Sequence, residues 1–180
     1  MRTRICWLMG VLLIVFMGFG SSRAQENMLV NGGFEDGVMA PWTIIGNAAP
    51  ATRTIVTGDA IEGESCLNVV ATQGAQFWSS YTGAPGARDV VFEEGETYTF
   101  SGFFKCSTST DTLIVNMKLE TNAGNLAVQK TITSEWQEYY ITRTFTSDGT
   151  GCVVIHHAFA DGEFWVDDLK VYKGEYVPTE

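Results

Sequence analysis

Basic residues are scarce in this chain: 11 Lys and Arg stand against 21 Asp and Glu, for a net charge of −10. That balance speaks against nucleic acid and anionic membrane surfaces as partners, because both need a positive field. Cysteine is also sparse, with four in 180 residues, and none falls in a C-x-x-C or a Cys/His metal spacing. There is no G-x-S-x-G, H-E-x-x-H, P-loop or N-x-S/T sequon. Beyond residue 24 no stretch has the apolar period of an amphipathic helix, which argues against a helical bundle or an α/β fold.

What is present starts with Arg2 and Arg4, then an almost uninterrupted apolar run from Ile5 to Gly20, then Ser21-Ser22-Arg23-Ala24. This layout predicts a secretory signal peptide over residues 1–24, cut before Gln25. The run is shorter than the roughly 18–20 residues of a spanning helix. Cleavage would remove three of the 11 basic residues and none of the 21 acidic ones, taking the net charge from −10 to −13. The remaining 156 of 180 residues suit one domain, over residues 25–175, with 176–180 as a short tail. The chain has 11 Phe, 5 Trp and 6 Tyr, of which only Trp7, Phe16, Phe19 and Tyr176 fall outside that domain, so it has material for a real core. Cys66, Cys106 and Cys152 would survive cleavage, and an odd number cannot all pair internally. Each lies in an apolar, strand-like stretch where a reduced thiol serves as a small hydrophobe at least as well as a bridge.

Runs of β-branched and aromatic residues recur between Gly, Asn, Asp, Ser and Pro, predicting an all-β chain. Strands are expected at 28–31, 42–45, 53–57, 65–71, 76–81, 89–92, 96–106, 112–120, 125–132, 136–145, 151–159 and 163–172. So many short strands in one domain predict two packed antiparallel sheets, a β-sandwich of jelly-roll type. Alternation assigns the faces. Tyr98, Phe100, Gly102, Phe104 and Cys106 point to the core, as do Leu113, Val115, Met117 and Leu119. Thr99, Ser101, Phe103 and Lys105, and Ile114, Asn116, Lys118 and Glu120, point the other way. If these two strands are neighbours, Phe103, Lys105, Asn116 and Lys118 share an open face, a ring among hydrogen-bonding groups of the sort that grips a sugar.

Three stretches together resemble one family. Asn27 to Asp36 (NMLVNGGFED) followed by Trp42, the central Tyr98 to Lys105 (YTFSGFFK), and Phe164 to Leu169 (FWVDDL) are similar to the carbohydrate-binding modules of the family 4/9/16/22 group. Trp136, after Thr133-Ser134-Glu135, fits the same pattern. The resemblance implies a galactose-binding-like β-jelly roll with a structural Ca²⁺ ion joining the first strand, an early loop and the last strand. Carried over residue by residue, it implies Glu35 with the Gly33 carbonyl, Glu62 with the Ser65 carbonyl, and Asp167 as ligands, with Asp36, Glu64 and Asp168 as close alternatives. Carboxylates and carbonyls on pliable glycine-rich backbone suit an ion that takes roughly 6–8 oxygens. For sugar on a concave sheet it implies Trp78 and Phe103 as stacking platforms, with Lys105, Asn116, Lys118 and His156 as hydrogen-bonding partners and Gln76 on the face of Trp78. Trp42, Trp136 and Trp165 take core positions.

His156 and His157 are adjacent in a strand, face opposite sides, and cannot form a two-ligand metal site. The acid pairs Glu93/Glu94 and Asp167/Asp168 diverge for the same reason and match no catalytic signature. The expectation is an exported, non-catalytic module of a secreted, cell-surface or periplasmic bacterial protein. It would bind a poly- or oligosaccharide and no nucleic acid or membrane. The alternative is a structural or adhesion module of the same fold that binds protein or matrix.

Overall fold

A computed structural model describes residues 25–44, 51–71, 75–78, 90–109, 111–157 and 161–178, and the side chains at 71, 75–78 and 157 are outside the description. The described residues contain ten strands: β1 (Ala51–Thr57), β2 (Ser65–Ala71), β3 (Ala75–Trp78), β4 (Val90–Phe92), β5 (Thr97–Cys106), β6 (Thr112–Thr121), β7 (Leu126–Thr133), β8 (Gln137–Thr144), β9 (Gly149–His157) and β10 (Gly162–Lys173). They form two antiparallel sheets. The first runs β1-β2-β10-β5-β8, and the second runs β3-β9-β6-β7 with β4 also pairing β9.

The expected alternation sets the packing. Phe100 and Phe104 of β5 and Val115, Met117 and Leu119 of β6 are fully buried between the sheets, with Val153 and Ile155 of β9 and Val166 and Val171 of β10. Phe92 stacks on Phe145 with centroids 4.4 Å apart and meets Tyr98 edge-on at 4.9 Å, closing one end of the core. Cys66, Cys106 and Cys152 are buried and none forms a disulfide.

Residues 28–31 and 42–45, expected as strands, form none in the described structure apart from an isolated bridge at Thr43. The reason lies in β10. Its pairing with β5 shifts register between Asp167 and Lys170, a bulge with Asp168 at φ 48°. On its other edge β10 stops pairing with β2 at Val166, and the segment before Trp42 takes up the edge that β2 leaves. Leu169 N–H donates to the Gly32 carbonyl at 3.0 Å, and Met28 N–H donates to the Val171 carbonyl at 2.7 Å. Asn27 completes the set: its Nδ2 donates to the Leu169 carbonyl, and its Oδ1 accepts from Val171 N–H and Leu29 N–H, each at 3.0 Å. A side-chain amide thus stands in for ladder groups, and period-2 patterning cannot report that. The approach is close: a Cβ on Gly32 would lie 2.0 Å from the Leu169 carbonyl oxygen.

Asn27→Ala is therefore expected to cost about 1–3 kcal/mol, the range for leaving buried partners unsatisfied. Asn27→Asp, which keeps the acceptor and loses the donor, should fall between. Urea unfolding measures both, and an Asn27→Ala loss below about 0.5 kcal/mol would be at odds with this role.

Candidate functional site

The sandwich has two outer faces, and the chain covers much of one itself. On the outer side of the first sheet, Thr99 and Ser101 are buried although polar. Thr99 Oγ1 donates to the Gly174 carbonyl at 2.9 Å. Tyr176, beyond the boundary expected from sequence, stacks on Tyr140 with centroids 3.6 Å apart and donates its hydroxyl to Glu138 at 2.9 Å. On the same side Lys105 lies between Trp136 and Trp165, its Nζ 5.0 and 5.1 Å from the ring centroids, and forms an ion pair with Asp59 at 2.6 Å.

This corrects the shared face expected for Phe103, Lys105, Asn116 and Lys118. β5 and β6 belong to different sheets, so Phe103 and Lys105 lie on one outer face and Asn116 and Lys118 on the opposite one. Alternation along a strand reports which residues share a side and not which strands are neighbours. Trp136 and Trp165 also depart from expectation. They are half-buried around Lys105, whereas Trp42 is in the core against Phe34.

The outer face of the second sheet is open over β6 and β7, whereas Cys152 and Val154 of β9 are buried. Register aligns Gln76 of β3 with His156 of β9, His156 with Asn116 of β6, and Asn116 with Gln129 of β7. The adjacent row is Trp78, Val154, Lys118 and Ala127. Asn116, Lys118 and His156 are half-buried, and Ala127, Gln129 and Thr131 are exposed. Neighbouring strands lie about 4.8 Å apart, so each row is a regular ladder of side-chain positions. Amide and imidazole groups in one row both donate and accept, which is what matching hydroxyl groups requires. Four of the expected sugar-contacting residues, Trp78, Asn116, Lys118 and His156, hold positions in these two rows. The side chain of Trp78, with Gln76 beside it, is outside the described residues, as is the loop Gly83–Arg88. Gln129 was not among the expected residues. Its β-strand parity was legible, but its register with Asn116 was not.

A second constellation joins the chain's ends. Asp167 is wholly buried, and its Oδ2 accepts from Ile61 N–H at 2.8 Å and Glu62 N–H at 3.1 Å, while Oδ1 accepts from Asp168 N–H at 2.7 Å. The Glu35 carboxylate accepts from Glu64 N–H at 3.1 Å and Ser65 N–H at 2.8 Å. Asp167 Oδ1 and Glu35 Cγ each lie 3.8 Å from where a Gly33 Cβ would stand. Gly33, Glu35, Glu62, Ser65 and Asp167 are thus brought together, with Glu62 entering through its N–H while its carboxylate approaches Lys170 at 3.7 Å. Asp168 points elsewhere and pairs with Lys170.

No Lys, Arg or His among the described residues forms an ion pair with Asp167 or Glu35. Burial pushes the Asp167 carboxyl up, against three N–H bonds that pull it down, and the Glu35 charge adds to the rise. The Cys66 thiol is pushed up to about 12 by burial first, then by Asp167 and Asp59. The region is electronegative, and its carboxylates and carbonyls are the donor chemistry of a hard divalent cation. No three His, Cys, Asp or Glu side chains among the described residues are arranged as a metal cage, so carbonyl oxygens would have to supply much of any ion's shell.

Comparison with known proteins gives the setting. The family model described as a carbohydrate binding domain matches residues 26–160. A keratan-sulfate endo-1,4-beta-galactosidase of Sphingobacterium multivorum is 27% identical over 146 residues, 79% of this chain, and the chain spans 30% of that relative's length. Among solved structures, the CBM22-1 xylan-binding domain from Paenibacillus barcinonensis Xyn10C superposes with a TM-score of 0.63 at 16% identity, covering 87% of this chain and all of that one. TmCBM61, solved with beta-1,4-galactotriose, gives a TM-score of 0.54 at 18% identity, covering 83% of this chain and 99% of that one. The fold is that of the β-sandwich jelly rolls found in these modules.

Gly63 carries φ +66°, and a Cβ there would stand 2.4 Å from Glu35 Oε1. Gly63→Ala is accordingly expected to displace the Glu35 carboxylate and lower stability by about 1–3 kcal/mol, measured by urea unfolding. A variant as stable as the parent would show that the carboxylate is not held where described.

Proposed function

The chain belongs to the carbohydrate-binding domain family, and from that premise we propose that it is a non-catalytic module that binds β-linked poly- or oligosaccharide on the outer face of its second sheet. The observation that carries this reading is the row of Gln76, His156, Asn116 and Gln129 across four strands, with Trp78 two residues along β3. Hydroxyl groups pair with the amides and imidazole, and exposed Ala127 supplies apolar surface for a sugar's C–H face. Xylan and β-1,4-galactan are the first candidates, since structural neighbours are named for xylan and galactotriose. With the leader-like N-terminus and a bacterial glycosidase relative, the natural setting is outside the cytoplasm of a bacterium.

The proposal includes a structural Ca²⁺ ion held by Glu35 and Asp167 with the Gly33 and Ser65 carbonyls. It would neutralise two carboxylates that lack a cationic side-chain partner among the described residues, and lock the N-terminal segment, the 60–65 loop and β10 together. By linkage its effect is RT ln(1 + [Ca²⁺]/Kd), about 2.7 kcal/mol at a hundredfold excess over Kd.

Two experiments test these readings. In affinity electrophoresis through xylan or galactan gels, Asn116→Ala and Gln129→Ala are each expected to weaken retention about threefold to tenfold, the worth of one or two hydrogen bonds. Phe103→Ala, on the opposite face, should retain wild-type mobility shifts. Loss of retention in Phe103→Ala alone would put the sugar on the first sheet. In thermal melts, Ca²⁺ should raise the midpoint of the parent and not of Glu35→Ala, and a parent melt unchanged by both Ca²⁺ and chelator would remove the ion from the account.

A further inference from the structure

Building on that sugar-face reading, we propose that Glu120 is a specificity-determining residue that closes this face to glycans bearing sulfate or carboxylate groups. Lys118 and Glu120 are two apart on β6, so both side chains stand on the outer side of the second sheet, opposite Met117 and Leu119 in the core. Glu120 Oε2 accepts a hydrogen bond from Lys118 Nζ, making an ion pair on that face. The side chains are only 28% and 19% exposed, so the pair is shielded more than an ordinary surface bridge and its charges are less screened by salt.

The described positions of this face are Ile114, Asn116, Lys118 and Glu120 on β6, Ala127, Gln129 and Thr131 on β7, and Cys152, Val154 and His156 on β9. Lys118 is the lone Lys or Arg among them, and Glu120 cancels it. An anionic substituent brought here would shed water without gaining a cation, in the field of a chain whose net charge is −10. A neutral sugar pays no such penalty and still finds Asn116 and Gln129. The sulfated-glycan name of the Sphingobacterium multivorum relative therefore does not carry over to the ligand of this face. Discrimination here is by an unfavourable charge environment for the wrong ligand, built from one residue that need not touch the right one.

The test is the ratio of affinities for soluble xylan and galactan before and after chemical sulfation, measured by affinity electrophoresis on the full chain at fixed ionic strength. The parent should bind each sulfated polymer about tenfold or more weakly than its neutral form, and removing the Glu120 charge should reduce that ratio severalfold by leaving Lys118 to meet the anion. Glu120→Gln removes the charge with least change of shape. Glu120→Thr removes it with a good strand former, should the first variant fold poorly. Glu120→Asp should keep the parent ratio. Equal or tighter binding of the sulfated polymer by the parent, or an unchanged ratio in both neutralised variants, would overturn the role of Glu120 while leaving the sugar face in place. No binding of either form by any of these proteins would overturn the sugar face and this inference with it.

Discussion

The last strand, β10, with its bulge at Asp168 and Leu169, is the constraint from which much of the rest follows. Slipping the register of β10 against β5 turns Leu169 inward, where its side chain fills the space left by Gly102; a Cβ there would come within 2.4 Å of Leu169 Cδ2. On the opposite edge, where β2 stops pairing after Val166, Asn27, Met28 and Gly32 satisfy the backbone of Leu169 and Val171, so the N-terminal segment is fastened to the last strand without being a strand itself. Just before the slip, Asp167 meets the amides of Ile61 and Glu62, a short distance from Glu35. The last strand thereby joins the two ends of the chain and concentrates negative charge at the junction. Bulges sit where a strand must re-aim a side chain, and here the side chain re-aimed is Leu169, turned into the core.

That arrangement also divides the labour between the two outer faces. The first sheet carries the junction, the Lys105 box of Trp136 and Trp165, and the C-terminal turn that stacks Tyr176 on Tyr140. Its polar residues are spent on the chain's own segments, as Thr99 and Lys105 illustrate. The second sheet keeps exposed, small or hydrogen-bonding residues in regular rows. A binding face and a stabilising face on opposite sides of one core can vary separately, since their residues do not touch and their energies should add.

The faces of individual strands were legible from sequence because period-2 alternation is local. Tyr98, Phe100 and Phe104 go in, as do Leu113, Val115, Met117 and Leu119, and Asn116 and Lys118 go out, all as the pattern implies. Sheet membership was not legible, since nothing within YTFSGFFK or LIVNMKLE says that β5 pairs β10 and β8 while β6 pairs β9 and β7. That is why Phe103 and Asn116 could look like neighbours while standing on opposite sides of the sandwich. The carboxylate junction was foreshadowed by resemblance more than by pattern: glycines around Glu35 signal pliable backbone, but the meeting of Glu35 with Asp167 across 132 positions depends on topology. Trp136 and Trp165 show the remaining gap, because a large aromatic can be satisfied by a lysine stem and a cation as well as by a core.

The central claim is that sugar is held on the outer face of the second sheet, and amide chemical-shift mapping addresses it most directly. A ¹H–¹⁵N titration with a soluble β-1,4-linked xylo- or galacto-oligosaccharide should perturb residues 114–120, 127–131 and 152–156, together with the Asn116 and Gln129 side-chain amides. The amides of 99–105 and 163–167 should stay still. Perturbations centred instead on Phe103, Lys105 and Trp165 would contradict the assignment and move the binding face to the other sheet.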